Sequence, residues 1–197
     1  MGEIGRRVVH ASGVGLPALY LVDLVSWYQL QLLLILGTII ATGLEFVRLR
    51  VGLDWWIYEQ LTRPYEAESI AGYALYMYSI TAVGLVFQPD IALPAMLMLM
   101  LGDPISGYLS SGELQTVKAG RSMIAMFLVS LVIAMPFAVS LLDSTVWALG
   151  AAVVAACCST IADGVKPIVF GYVVDDNLTI PPAAALGLWV VYLLAPA

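Results

Sequence analysis

Positive charge is scarce in this chain. Lys118 and Lys166 are its only lysines, eight Lys and Arg stand against fourteen Asp and Glu, and the net charge is -6. Nucleic-acid surfaces need basic stripes, so no nucleic-acid partner is expected. The two cysteines, Cys157 and Cys158, are neighbours inside an apolar run; they offer neither a disulfide framework nor a zinc spacing. There is no Walker loop and no Gly-x-Gly-x-x-Gly ahead of a helix, which excludes the common soluble nucleotide folds. A single histidine, His10, leaves a Ser-His-Asp hydrolase without support. No polar stretch is long enough for a second domain, so residues 1–197 are read as one domain.

Apolar runs are abundant. Hydrophobic residues make up 61% of the chain and charged residues 11%, with a mean hydropathy of +0.95, outside the range of soluble domains. A bilayer core of roughly 30 Å needs about 20 apolar helical residues. Seven segments qualify or nearly so: Val8 to Val25, Leu30 to Val47, Ile70 to Phe87, Ile91 to Tyr108, Met123 to Leu142, Val146 to Ala162 and Leu178 to Leu194. The expected fold is all-α, a polytopic integral membrane helical bundle of about seven transmembrane helices. The fourth is expected to be broken at Gly102-Asp103-Pro104, where a flexible residue, a carboxylate and a helix breaker arrive together. Ile168 to Val174 is apolar but too short to span, and reads as a re-entrant or interfacial piece. Asp54 to Leu61, with Trp55, Trp56 and Tyr58, suits the headgroup region.

Charge gives the orientation. The basic residues fall in four short stretches, Arg6 and Arg7, then Arg48, Arg50 and Arg63, then Lys118 and Arg121, then Lys166. The apolar runs between them cross the bilayer an odd number of times, which puts all four on one face. Cytoplasmic loops collect Lys and Arg, so the amino terminus is expected in the cytoplasm of a multi-pass cell-membrane protein. The opposite turns, near Asp23, Asp90 and Asp143, carry acids only.

On the basic face gather Glu45, Arg48, Glu66, Asp103, Lys118, Arg121, Asp163, Lys166, Asp175 and Asp176. Ionisable residues at span ends default to functional hypotheses. Carboxylates, basic groups and glycine-rich turns on one face suit a metal-bound polyphosphate: Mg²⁺ takes a few carboxylate oxygens and completes its shell with water and phosphate. Lys and Arg neutralise the remaining phosphate charge, and Gly102, Gly107, Gly112 and Gly120 would let backbone N–H groups approach it. His10 can pair with a site carboxylate or serve as a cap or headgroup contact.

Gly102-Asp103-Pro-Ile-Ser106-Gly-Tyr-Leu-Ser-Ser-Gly112, followed by Lys118-Ala-Gly-Arg-Ser122, resembles the Gly-Asp…Gly…Lys…Gly-Ser signature of the CTP-dependent polyprenol kinases, the dolichol kinase and phytol kinase group. Asp176-Asn177-Leu-Thr-Ile-Pro181 is similar to that family's Asp-Asn-Leu-Thr-(Val/Ile)-Pro motif. Fainter echoes are Arg7-x-x-His10, Glu45-x-x-Arg48 and Arg63-x-x-Glu66. One departure is clear: the family's Glu before Gly-Ser is missing at Gly120-Arg121-Ser122, and the spacing from Lys118 is one residue short. The resemblance implies transfer of a phosphoryl group from CTP to a membrane isoprenoid alcohol at the cytoplasmic face. Mg²⁺ would be held by Asp103 and Asp176. Asp103, Glu66 and Lys118 are the expected catalytic groups, with Glu66 taking or positioning the hydroxyl proton. Gly102, Ser106, Gly120, Arg121, Ser122, Asn177, Arg48 and His10 are expected at the substrates. The Met96-Leu-Met-Leu-Met100 run is a candidate wall of the alcohol's route, because unbranched thioethers adapt to irregular chains. A cytidylyltransferase making a CDP-lipid and a small-anion transporter are the alternative readings.

Overall fold

The computed structural model describes residues 10–52, 55, 58, 62, 66, 69–110, 117–169 and 172–196. Arg6, Arg7, Asp54, Trp56, Glu59, Arg63 and Gly112 lie outside the described residues. The fold is an all-α membrane bundle. Its helices are α1 (Gly15–Leu21), α2 (Trp27–Phe46), α3 (Gly72–Val86), α4 (Pro89–Leu97), α5 (Asp103–Tyr108), α6 (Gly120–Leu141), α7 (Thr145–Gly164) and α8 (Asp176–Leu194). π-helical turns extend α2 through Val47–Val51 and join α4 to α5 through Met98–Gly102. Among the described residues, five helical stretches are long and apolar enough to cross a membrane: Trp27–Val51, Pro89–Tyr108, Gly120–Leu141, Thr145–Gly164 and Asp176–Leu194. The expected third span is a shorter helix of 15 residues. What is described of the first is turned at Gly13 and resumes as the seven-residue α1. A Cβ on Gly13 would sit 1.8 Å from Tyr76 Oη, so this turn lies directly against α3.

Local chemistry explains the boundaries. Ser26 caps α2 with a reciprocal pair, its Oγ accepting from Gln29 N while Gln29 Oε1 accepts from Ser26 N at 2.8 Å. Pro89 opens α4, where its missing N–H is no loss. Asp175 caps α8 by accepting from Asn177 N at 2.9 Å. Gly52, at φ +70, ends the π turn after α2 in the left-handed conformation that glycine adopts without strain.

The stretch Pro89–Tyr108 is the centre of the bundle. Every residue from Ile91 to Met100 is buried, with α6 and α8 packed on α4 and α3 beside it. Outside it α6 packs on α7, α7 on α8, α8 on α3, and α3 on α2. Apolar surface against lipid gives little drive for helix association, so close backbone approach and interhelical hydrogen bonds matter. Gly187 provides the first: a Cβ there would lie 3.1 Å from the Ala155 backbone. Thr38–Thr81 at 2.7 Å and Ser159–Ser130 at 2.9 Å provide the second.

Three expectations change in detail. The break at Gly102-Asp103-Pro104 is a milder distortion, because Gly102 and Asp103 keep helical backbone angles and the wide turn just before Pro104 absorbs its missing donor. The short non-spanning piece takes the form of a two-stranded antiparallel hairpin, Ile168–Val169 with Tyr172–Val173, closed below by Val174 N to Pro167 O at 2.9 Å. The methionine run is core: Met96, Met98 and Met100 are each 0% exposed, which removes them from any route open to the bilayer.

Candidate functional site

Short connections bring the ends of five segments together at one end of the bundle: the residues before α1, the start of α5, the loop before α6, the end of α7 and the start of α8. Asp103 stands first in α5, directly after the π turn. Asp163 is the penultimate residue of α7, and Asp176 is the first of α8. Lys118 lies in the connection ahead of α6, where its N–H donates to Gly164 O at 2.9 Å and Val117 bridges Val165. That backbone clip fixes the lysine beside the end of α7.

The side chain of Lys118 then reaches three carboxylates from three helices. Its Nζ is 2.6 Å from Asp163 Oδ1, 3.2 Å from Asp103 Oδ1 and 3.4 Å from Asp176 Oδ2. It also donates to Ser106 Oγ at 3.3 Å, and Ser106 Oγ donates to Asp163 Oδ2 at 2.7 Å. Lys166 Nζ pairs with Asp176 Oδ2 at 2.7 Å, and His10 Nδ1 lies 3.4 Å from Asp103 Oδ2 with its ring edge-on to Tyr76. Burial opposes the charged form of Lys118, but Asp103, Asp176 and Asp163 outweigh it and hold the ammonium well above the usual lysine range.

The same three carboxylates are a set that could hold a metal ion. One oxygen from each of Asp103, Asp163 and Asp176 lies within 4.8 Å of the other two, and Asp176 Oδ1 is buried without a hydrogen-bond partner. An acceptor-only carboxylate oxygen left unpaired in the interior is destabilising unless a cation or donor meets it.

Around Asn177 lies a second polar cluster. Asn177 Nδ2 donates to Asp175 Oδ1 at 2.7 Å, while its Oδ1 is buried and unpartnered. The missing side chain of Gly72 lets these groups close up against the helix start. A Cβ there would sit 2.9 Å from Asn177 Nδ2, 3.4 Å from Glu66 Oε1 and 3.8 Å from Asp175 Oδ1. Glu66 is therefore buried on the Asn177 side.

Of the expected site residues, Asp103, Lys118, Asp176, Ser106 and His10 come together in one network. Arg48 has other work: its guanidinium binds Glu45 at 2.8 and 3.1 Å and donates to the carbonyls of Glu66 and Ser69, stapling the end of α2 to the segment ahead of α3. Gly102 is a packing glycine, since a Cβ would lie 2.6 Å from Met126 Sδ on α6. Gly120 and Arg121 begin α6 on the exposed side, and Ser122 Oγ is buried without a partner. Asp163 and Lys166, which carry no assigned role in the sequence reading, join this network. The cue was there in Asp163-Gly-Val-Lys166-Pro, a second acidic helix end punctuated by Gly and Pro. Compared with protein-family models, curated proteins and solved structures, the chain matches none.

Proposed function

We propose that this protein is a CTP-dependent kinase that phosphorylates a membrane isoprenoid alcohol of the polyprenol type at the cytoplasmic face of the cell membrane. One observation carries the reading: three carboxylates from three helices converge on Lys118 at one end of a membrane bundle, and two of them belong to the Gly-Asp and Asp-Asn-Leu-Thr-Ile-Pro motifs. An anionic, water-soluble donor and a lipid-dissolved acceptor have to meet where the bundle leaves the bilayer. The alcohol oxygen forms a bond to the γ-phosphorus, the bond to the β,γ-bridging oxygen breaks, CDP leaves, and the hydroxyl proton passes to a site carboxylate.

Asp103, Asp163 and Asp176 fit a divalent cation such as Mg²⁺, with the unpartnered Asp176 Oδ1 as the observation that supports it. Bound there with nucleotide, the cation would supply charge neutralisation on the phosphates. Lys118 supplies a positive charge on a four-carbon stem, suited to meeting phosphate oxygens. His10 and Ser106 orient Asp103 and Asp163 respectively. Clustering at one end of the bundle speaks against alternating access, which works around a site near the midplane. Purified protein with CTP, Mg²⁺ and a polyprenol should release CDP. Pyrophosphate would identify a cytidylyltransferase instead, and neither product would leave the transporter reading.

A further inference from the structure

The alcohol needs a way to Asp163 from within the bilayer, and the methionine run of the central helix does not give one. A groove does open elsewhere. Between α6 and α7 lies an apolar depression of about 300 Å³, lined by Met123, Ile124, Phe127, Cys157, Thr160 and Ile161. Ile124 and Ile161 are 63% and 60% exposed on the outer surface of the bundle. In a membrane-spanning chain that surface faces hydrocarbon, so the groove is open sideways to lipid.

One wall of it adjoins the helix end that carries the charged site. Thr160 and Asp163 are three residues apart and share a face of α7 one turn from each other. Met123 packs on Gly164, where a Cβ would lie 2.9 Å from Met123 Cε; the absent side chain is what lets this wall of the groove sit against the helix end. Gly164 O in turn holds the Lys118 backbone. Gly164 thus links the groove wall at Met123 to the backbone of Lys118.

We infer that this groove is the seat of the acceptor's hydrocarbon, taking the head-proximal part of one isoprenoid chain so that its hydroxyl points to Asp163. The inference rests on the kinase reading for the identity of the acceptor. The volume stands at the small end of ligand sites and suits one chain, the remainder lying in the bilayer. The lining offers apolar surface throughout, because Thr160 Oγ1 is already spent on Ala156 O at 2.7 Å.

The test uses the full-length protein in nanodiscs and a C20 isoprenoid alcohol carrying a diazirine near its hydroxyl end, with crosslinks mapped by mass spectrometry. Label is expected on Met123, Phe127, Cys157 or Ile161, displaced by unlabelled polyprenol and not by an alkane of equal length. Label confined to other helices, or displaced equally by the alkane, overturns the inference. In parallel, Ile161→Trp and Cys157→Trp should raise KM for the alcohol about tenfold and leave KM for CTP unchanged. Unchanged alcohol KM in both variants would equally refute the groove while leaving the kinase standing. Competed label in the groove without CDP formation would uphold the alcohol site and remove the kinase.

Discussion

Lys118 Nζ and Asp163 Oδ1 lie 2.6 Å apart although 45 residues separate them in sequence. The same ammonium touches Asp103 and Asp176, so it stands among the oxygens that a divalent cation would use. Two cations cannot share that space. Lys118→Met should therefore make Mg²⁺ or Mn²⁺ raise the melting temperature more than it does in the parent protein, while turnover falls by at least about 10²-fold. Equal metal stabilisation in both proteins would show that lysine and metal do not compete.

Each carboxylate of the trio should matter comparably. Asp103→Asn, Asp163→Asn and Asp176→Asn, correctly inserted, should each lower kcat by at least about 10²-fold at saturating Mg²⁺. Near-normal turnover of Asp163→Asn would take that residue out of the site and leave the pair named by the motifs.

The pH dependence of the lysine's contribution has a definite sign. Its folded pKa is raised above the ordinary 10.5, so the stability from its pairing is complete below that value and is lost as pH climbs through the higher folded one. The gap in melting temperature between parent and Lys118→Met should stay flat from about pH 7 to pH 9 on this ground. A gap that shrinks across that window would mean the ammonium titrates far lower than its surroundings indicate.

Arg48 is predicted to be a staple, with its effect on stability. Glu45 is 4% exposed, and removing its partner leaves a buried charge, a loss of about 3–5 kcal/mol for such pairs. Arg48→Ala should melt earlier, the folded fraction keeping the parent's KM for CTP. A raised KM at unchanged stability would restore Arg48 to the substrate.

Pro181 and Ser79 form a compensating pair. Proline has no N–H for the carbonyl four residues back, that of Asn177, and Ser79 Oγ donates to this carbonyl at 2.6 Å. Ser79→Ala should destabilise by about 1–3 kcal/mol, and Pro181→Ala in the same background should recover part of it by returning the helical donor. Additive losses in thermal unfolding would mean the two are unconnected.

The bundle was legible because bilayer length and apolar composition act on each segment separately. So was the gathering of charged residues at one end, since charge sidedness is also a local count. What escaped was tertiary. Hydropathy treats a helix walled in by others and a helix in lipid alike, so Met96, Met98 and Met100 read as a lipid-side route although they are core. Gly102 reads as a phosphate glycine until Met126 is seen against it. Asp163 carried no role, because its partners Lys118 and Ser106 lie 45 and 57 residues away. Arg48 read as a substrate group because a charge near a site gives no sign of which carbonyls it will meet.

The central position of Pro89–Tyr108 bears on how the protein is made. With a mean hydropathy of 1.3 it is the least apolar of the five long helices, and it is the most enclosed, 67% of its window lying inside the bundle. Of the helices that wall it in, α3 precedes it, while α6 and α8 follow it in the chain. During synthesis this segment, with Asp103 near its end, therefore leaves the ribosome before two of the neighbours that shield it and before the lysine that neutralises its carboxylate. Its retention in the bilayer depends on segments still to come, so truncation ahead of α8 should cripple biogenesis and not merely activity.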